Sequence, residues 1–225
     1  MATDKPHAPR HRSPPRRAPG RPALDSPELR PRLIDAAIAC FARDGIAGTS
    51  LRGIAAHAGV TPALLNYYFG SKLALRDAVF EERLMPAVMS LREHLAEVGD
   101  DHRAAAQAFV RGVFALVEIH PWFPSLWVRE VLCEGGALRE LLLARIGPEL
   151  PQLLARRFAD AQRRGQLNAD LDPRLMVVSL IGLTLFPAAS APIWRQIFQA
   201  DIGMDALASH ALALLGHGMD PHDAN

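Results

Sequence analysis

The chain has 225 residues, of which 49% are hydrophobic and 22% are charged, as is usual for a soluble globular protein with one large or two small domains. Its two cysteines, Cys40 and Cys133, form no C-x-x-C pair, which argues against a disulfide framework and favours a reducing cytoplasm. The formal net charge is only +1, yet residues 1–80 hold 12 Lys and Arg against 6 Asp and Glu. This local excess predicts that the N-terminal third meets a polyanion.

Residues 1–25 contain six prolines and six basic side chains. Such a segment buries too little apolar surface to fold alone, and no apolar stretch typical of a secretory signal follows it. We interpret it as a disordered tail. The alternative is a basic arm that lies along DNA phosphates or in a minor groove.

Beyond the tail, apolar side chains recur at helical spacing, and no alternating run indicates a sheet. A first helix is predicted to begin at Ser26 and to end at Gly45. A long helix follows a cap at Ser71 and runs over residues 71–97, with Pro86 expected to kink or divide it. The predicted fold is therefore all-α.

Between these two helices, residues 50–69 have the sequence form of a helix-turn-helix. Thr49 or Ser50 caps the first short helix, which ends at Gly59, and Thr61 caps the second. In the second helix Leu65 and Phe69 are four residues apart and form one buried stripe. The remaining side chains of that helix are then free to face outward, and we interpret it as a DNA-recognition helix.

The C-terminal part is predicted to hold several more helices. One covers residues 103–120, and another is capped by Ser125. A break at Gly147–Pro148 divides the next region, Asp172 caps a helix that starts with proline, and Gly216 stops the last one.

Residues 175–194 carry no charge, and their length would allow a bilayer span. Pro187 and Pro192 interrupt the stretch, so we interpret it as a buried helix of a soluble protein that ends near Pro187.

No phosphate-binding loop, nucleophile elbow or H-E-x-x-H motif is present, and the nine histidines are dispersed. We therefore expect no enzyme, no cofactor and no metal. Glu130 and Glu134 share a helical face with Trp127, which suits either a cationic ligand or ordinary surface carboxylates.

The side chains around the helix-turn-helix suit DNA. Asn66 can pair with adenine and apolar side chains can meet thymine methyl groups. Hydroxyl groups and Lys72 suit phosphate oxygens. The simpler interpretation of Tyr67 and Tyr68 is half-buried packing, although two adjacent tyrosines on a helix cannot both point inward.

Three motifs carry a resemblance to a known family: F-A-x-x-G at the end of the first helix, T-S-L-R-x-I-A-x-x-A-G-V, and L-x-Y-Y-F-x-S-K. Across residues 28–82 the sequence resembles the tetracycline-repressor-like (TetR/AcrR) transcription regulators. The resemblance implies a three-helix helix-turn-helix DNA-binding domain over residues 26–86. A larger helical ligand-binding and dimerisation domain follows over residues 87–217, with a tail over 218–225.

The resemblance also assigns roles to residues. Backbone-contact positions would be Ser50, Arg52, Thr61, Tyr67, Tyr68 and Lys72, and base-contact positions would be Pro62, Ala63, Leu64 and Asn66. Leu64, Asn66 and Gly53 depart from the residues common in the family, which leaves the operator sequence open.

Two further sites are implied for the C-terminal domain. A ligand pocket would use Trp122, Phe123, Trp127, Glu130 and Phe158, for any one of which core packing is the alternative. A dimer interface would use Val177, Leu180, Ile181, Thr184, Leu207, Ala211 and Leu214.

Together these expectations describe a cytoplasmic homodimeric repressor that binds a palindromic operator and responds to a small molecule. Export or catabolic genes would be its targets. The alternatives are a helical enzyme, which requires a convergent titratable cluster, and a helical adaptor without DNA binding.

Overall fold

A computed structural model describes residues 27–221, so the predicted tail over 1–25 and the predicted cap at Ser26 lie outside it. Within the described range every regular element is a helix. The helices are α1 (Leu29–Gly48), α2 (Leu51–Ala58), α3 (Pro62–Phe69), α4 (Lys72–Val79), α5 (Met85–Glu97), α6 (His102–Ile119), α7 (Phe123–Trp127), α8 (Arg139–Arg145), α9 (Glu149–Arg163), α10 (Pro173–Ala189), α11 (Ala191–Phe198) and α12 (Met204–Met219). The predicted fold class is confirmed.

Two hydrophobic clusters divide these helices. The first joins α1–α4 and also receives Leu126, Val131 and Leu138 from the segment after α6. The second joins the inner faces of α6, α9, α10 and α12. Phe123 and Trp127 pack against both clusters, so the head formed by α1–α4 rests directly on the C-terminal body.

Short polar side chains cap four helices where the sequence predicts them, at Ser50, Thr61, Ser71 and Asp172. Asp172 accepts hydrogen bonds from the backbone N–H groups of Arg174 and Leu175 and so caps α10. Of the two residues predicted to cap α2, Ser50 is the cap. Thr49 is buried, and its hydroxyl donates to the carbonyl of Gly45 at 2.7 Å.

Two predicted boundaries are wrong. Ser125 does not cap α7, because the helix already begins at Phe123 and Pro124 occupies its first turn. Gly216 does not stop α12, which continues to Met219 because the buried Leu215 and Met219 hold this last turn against the core. At Gly216 tertiary packing overrides the local preference.

The long helix predicted over 71–97 is locally disrupted near Pro86. A π-helical turn, Phe80–Leu84, separates α4 from α5, and the N–H of Met85 donates to the carbonyl of Phe80. Proline has no N–H for the preceding turn, and the wider π turn accommodates that missing bond. A second π turn, Val128–Leu132, follows α7 directly.

The uncharged stretch over 175–194 forms α10 and the start of α11. α10 continues past Pro187 and ends at Ala189, close to its predicted end. Between residues 27 and 221 no single helix has the length and hydropathy of a membrane span. Only α10 and α11 taken together pass that test, and they are bent by 66° relative to each other.

Candidate nucleic-acid interface

The turn between α2 and α3 is built on Gly59. Its backbone is left-handed, with φ 68° and ψ 31°, and its N–H closes the last turn of α2 on Ala55 and Ala56. Glycine adopts this conformation without a steric penalty. Thr61 then caps α3, and Pro62 opens it. The two helices therefore have the geometry of a helix-turn-helix.

One face of α3 is buried and the opposite face is open. Leu65 and Phe69 lie in the first cluster, whereas Pro62, Ala63, Asn66 and Tyr67 are exposed, Tyr67 by 74%. This exposed face presents the amide of Asn66 and the small apolar side chains of Pro62 and Ala63, which suit the edges of base pairs.

Leu64 and Tyr68 were expected to face outward with those four residues, but they are half-buried and pack against the first cluster. The rings of Tyr67 and Tyr68 meet edge to face at 5.7 Å between centroids. Of the two tyrosines, Tyr67 is the more available to a ligand, because Tyr68 is partly covered.

Helix caps place two hydroxyl groups beside this face. Ser50 Oγ accepts from the N–H of Gly53 at 3.1 Å, and Thr61 Oγ1 accepts from the N–H of Leu64 at 3.3 Å. An accepting hydroxyl keeps its own hydrogen to donate, so both groups can still bond a phosphate oxygen. Arg52 is exposed beside them.

Lys72 differs from its predicted role as a phosphate contact. Its ammonium donates to the carbonyls of Ile46 at 2.8 Å, Ala47 at 3.1 Å and Thr49 at 2.9 Å. An ammonium has three N–H donors, and these bonds use all of them. In this structure Lys72 therefore fastens the start of α4 to the α1–α2 turn and has no donor left for DNA.

The same turn is held from the other side by the C-terminal body. The Oε1 atom of Glu130 accepts from the N–H of Ile46 at 2.9 Å, and its Oε2 atom accepts from the N–H of Ala137 at 3.0 Å. Arg129 donates to the carbonyl of Arg43 at 2.9 Å. Glu130 is only 4% exposed, so its interpretation as a surface carboxylate is wrong, whereas Glu134 is exposed as expected.

Gly45 makes this close approach possible. Its φ is 77°, and an added Cβ atom would lie 3.1 Å from Arg129 Cδ and 3.2 Å from Glu130 Oε1. A side chain at this position would therefore be strained by its backbone and crowded by its neighbours.

A cavity of about 610 Å³ lies between the start of α5 and α6. Its wall includes Arg83, Leu91, His94, Arg111 and His120. None of the five residues predicted for a ligand pocket lines it. Of those five, Trp122, Phe123 and Trp127 form a half-buried row of aromatic rings where the two clusters meet. Phe158 is buried in the second cluster. Glu130 forms the hydrogen bonds to Ile46 and Ala137.

Most of the predicted dimer residues are already covered within one protomer. Val177, Leu180, Thr184 and Ala211 are buried, Ile181 and Leu207 are half-buried, and only Leu214 is exposed. A side chain such as Leu180, with 0% exposure, adds little area to a contact between two protomers. The four buried positions therefore face the protomer's own core, and an interface at Ile181, Leu207 and Leu214 stays a prediction.

A different set of apolar side chains on α10–α12 is exposed, and we call it the α10–α12 face. Val178 is 62% exposed and Phe186 is 70% exposed. The face consists of Leu175, Val178, Phe186, Ile193, Ile197, Phe198 and Leu214. Large apolar side chains exposed on helices that contact one another form a candidate contact site.

A short helix-turn-helix head on a larger all-helical body defines a DNA-binding transcription regulator. Residues 33–79 match the family described as "Bacterial regulatory proteins, tetR family", and residues 103–217 match "Tetracyclin repressor-like, C-terminal domain". The chain belongs to the tetracycline repressor family.

Individual relatives agree with this assignment. The HTH-type transcriptional regulator SrpR of Pseudomonas putida is 36% identical over 161 residues, which cover 72% of this chain and 74% of SrpR. The regulator BetI of Vibrio campbellii is 28% identical over 109 residues. That match covers 48% of this chain and 55% of BetI, so the chain spans about half the length of such relatives.

The fold also matches a solved structure, a putative fatty acid metabolism regulator from Clostridium perfringens, with a TM-score of 0.65 at 20% identity. The match covers 84% of this chain and 98% of the other.

Proposed function

We propose that the protein is a homodimeric repressor that binds a palindromic operator and releases it when a small molecule binds the C-terminal body. The observation that carries the proposal is the open face of α3, bounded by the Ser50 and Thr61 hydroxyl groups. In this arrangement Pro62, Ala63 and Asn66 read bases, and the hydroxyl groups, Arg52 and Tyr67 fix the backbone.

Leu64, Tyr68 and Lys72 take a different part in the proposal. Leu64 and Tyr68 lie at the edge of the reading face, where their exposed portions border the DNA. Lys72 acts indirectly, because it holds the α1–α2 turn from which α2 and its Ser50 cap begin. A change at Lys72 then alters DNA affinity because it alters the position of α2.

The α10–α12 face supplies the dimer contact in this proposal. Two copies of an apolar face can pair about a two-fold axis with the same residues on both sides. Such pairing removes exposed leucine, isoleucine and phenylalanine side chains from water. Such pairing also fixes the distance between the two α3 helices. A palindromic operator has the same two-fold symmetry as this dimer.

Ligand control requires a mechanical link between body and head, and Glu130 and Arg129 provide one. Both side chains belong to the π turn after α7 and both bond the end of α1. A ligand that shifts this π turn changes the position of the α1–α2 turn and with it the spacing of the two heads. Export or catabolic genes remain the target class that we propose.

The decisive experiment selects binding sites for the full chain from random DNA. The expected result is an inverted repeat whose half-sites lie one helical turn apart or a multiple of it. A consensus without inverted symmetry would refute the palindromic operator, and no enrichment at all would refute sequence-specific binding. A reporter gene that carries the selected site then distinguishes repression from activation.

A further inference from the structure

The cavity between α5 and α6 has an apolar floor. Leu91 and Leu116 form part of it, and the small residues Ala87 and Ala115 line the open space. Gly112 lets Leu91 approach α6 closely, since an added Cβ atom there would lie 2.7 Å from Leu91 Cδ1. At about 610 Å³ the cavity lies within the usual size range of small-molecule sites. Its floor suits the apolar body of a ligand.

The charged side chains around the cavity differ in whether an ion pair compensates their charge. Glu82 is neutralised, because Arg30 donates to its Oε1 atom at 3.0 and 2.6 Å. Arg83 pairs with Asp35 at 2.9 Å. Arg111 is exposed and forms no ion pair among residues 27–221, so it leaves one positive charge on the wall uncompensated.

Two histidines and a serine complete the polar wall. His94 Nδ1 lies 2.7 Å from the carbonyl of Ser90, while the ring of His120 packs on Trp122 at 5.3 Å between centroids. Burial and the nearby Arg83 lower the pKa of His120, so this ring is neutral at pH 7 and can donate one N–H. The wall therefore offers donors and one free cation, and it has no uncompensated carboxylate.

We propose that this cavity is the effector site and that it binds an apolar small molecule carrying a carboxylate, with Arg111 as the charged partner. This inference rests on the proposed function, because it names the effector class of the proposed repressor. The apolar body lies against Leu91 and Leu116, and the carboxylate accepts hydrogen bonds from the guanidinium of Arg111.

The same wall connects the cavity to the head. Arg83 donates to Asp35 and, at 3.3 Å, to the carbonyl of Pro31, both on α1. Glu82 binds Arg30 of α1. These two ion pairs join the π turn at Phe80–Leu84 to α1, so a ligand that fills the cavity and displaces this turn also changes the position of α1. Ligand binding thereby shifts the head.

The test uses the full chain and three probes with one tail and different head groups: decanoate, decanol and decyltrimethylammonium. Titration calorimetry below the micellar range measures each affinity. Decanoate should bind more tightly than both others. In Arg111→Gln its affinity should fall about tenfold, as expected for the loss of one charge-assisted contact, while that of decanol should not change.

Two further variants sharpen the result. Arg156→Gln removes an exposed arginine on α9, away from this cavity, and should leave all three affinities unchanged. Ala115→Phe fills the cavity and should abolish binding of every probe. Equal affinity for all three probes, preference for the ammonium, or no binding of any probe would each overturn the assignment.

Failure of this inference is distinguishable from failure of the repressor proposal. Operator binding in the absence of probe tests the repressor proposal alone. If the operator is bound and decanoate is not, only the effector class is wrong. If decanoate binds with the expected preference and no operator is found, the cavity assignment stands and the DNA proposal fails.

Discussion

Glu130 and Ile46 are 84 residues apart in the chain, yet a hydrogen bond of 2.9 Å joins the carboxylate of the first to the backbone N–H of the second. The bond crosses from the C-terminal body to the end of α1. A buried carboxylate is stable only when its oxygens are satisfied, and here both are. The pair therefore joins the two parts of the protein, and in the proposed mechanism it transmits displacement between them.

Glu130→Ala should destabilise the protein by about 1–3 kcal/mol, because the variant leaves buried backbone donors without acceptors. Chemical denaturation measures the change. Glu134→Ala, four residues away and exposed, should be neutral within about 0.5 kcal/mol. Equal effects of the two substitutions would mean that the bond to Ile46 contributes nothing.

Lys72→Ala and Arg52→Ala should lower DNA affinity for different reasons. Lys72→Ala removes three bonds to carbonyls, so the free energy of unfolding should fall by about 1–3 kcal/mol. Arg52 is exposed and bonds no described residue, so Arg52→Ala should keep full stability. Its slope of log affinity against log salt should decrease by about 0.9.

Denaturation curves and DNA titrations over a salt series separate the two roles. Unchanged stability of Lys72→Ala together with a reduced salt slope would restore Lys72 as a direct phosphate contact.

Asn66→Ala should change the preferred base at one position of each half-site. An amide that pairs with adenine discriminates by about 1–3 kcal/mol. Selection from random DNA, with wild type and variant in parallel, measures the change. His57→Ala on the exposed side of α2 serves as the control. An identical consensus for Asn66→Ala and wild type would show that Asn66 reads no base.

Val178→Glu should convert the dimer to a monomer. A charge placed in the α10–α12 face would be buried without a partner, and this should weaken association by about 100-fold or more. Light scattering over a concentration series measures the mass. Leu143→Glu on α8, at an equally exposed leucine, should leave the mass unchanged. Dimers that persist in Val178→Glu would place the interface elsewhere.

Asp101→Asn should remove an acid-dependent part of the stability. Bonds from the N–H groups of Ala104 and Arg103 hold the pKa of Asp101 below its ordinary value of 3.8. A carboxylate with a lowered folded pKa stabilises the protein above its ordinary pKa, and the contribution is lost as the pH falls through the folded value. Asparagine caps equally well and does not titrate there.

The difference between the melting temperatures at pH 7 and pH 3 should therefore be smaller for Asp101→Asn than for wild type. Asp205→Asn, near the exposed start of α12, is the control. A wild-type pH dependence that survives in Asp101→Asn would assign the effect to other carboxylates.

The elements that the sequence predicts well are those decided by neighbouring residues. The caps at Thr61 and Asp172 and the turn at Gly59 follow from short polar side chains and from glycine alone. Gly216 is different, because Leu215 and Met219 pack against distant helices and extend α12 past it. The sequence around Gly216 gives no information about these distant helices.

The sites were less predictable than the fold. α10 is apolar around its whole circumference, so its sequence does not distinguish Val177, which is buried, from Val178, which is exposed. Glu130 looked like a surface carboxylate because its partner Ile46 lies on another helix. Lys72 matched a motif position, and only the three carbonyls around it reveal that its donors are used.

The π turn at Phe80–Leu84 makes the length of this segment as important as its side chains. A π turn accommodates one residue more than the α-helical turn. Deletion of one residue there would restore a regular helix and leave the flanking faces in register, because the π turn already absorbs the extra residue. Deletion of one residue from the regular part of α5 would instead rotate everything after it by about 100°. The part of the cavity wall that follows that deletion would then face away from α6, so the segment tolerates the loss of a residue at Phe80–Leu84 and not within α5.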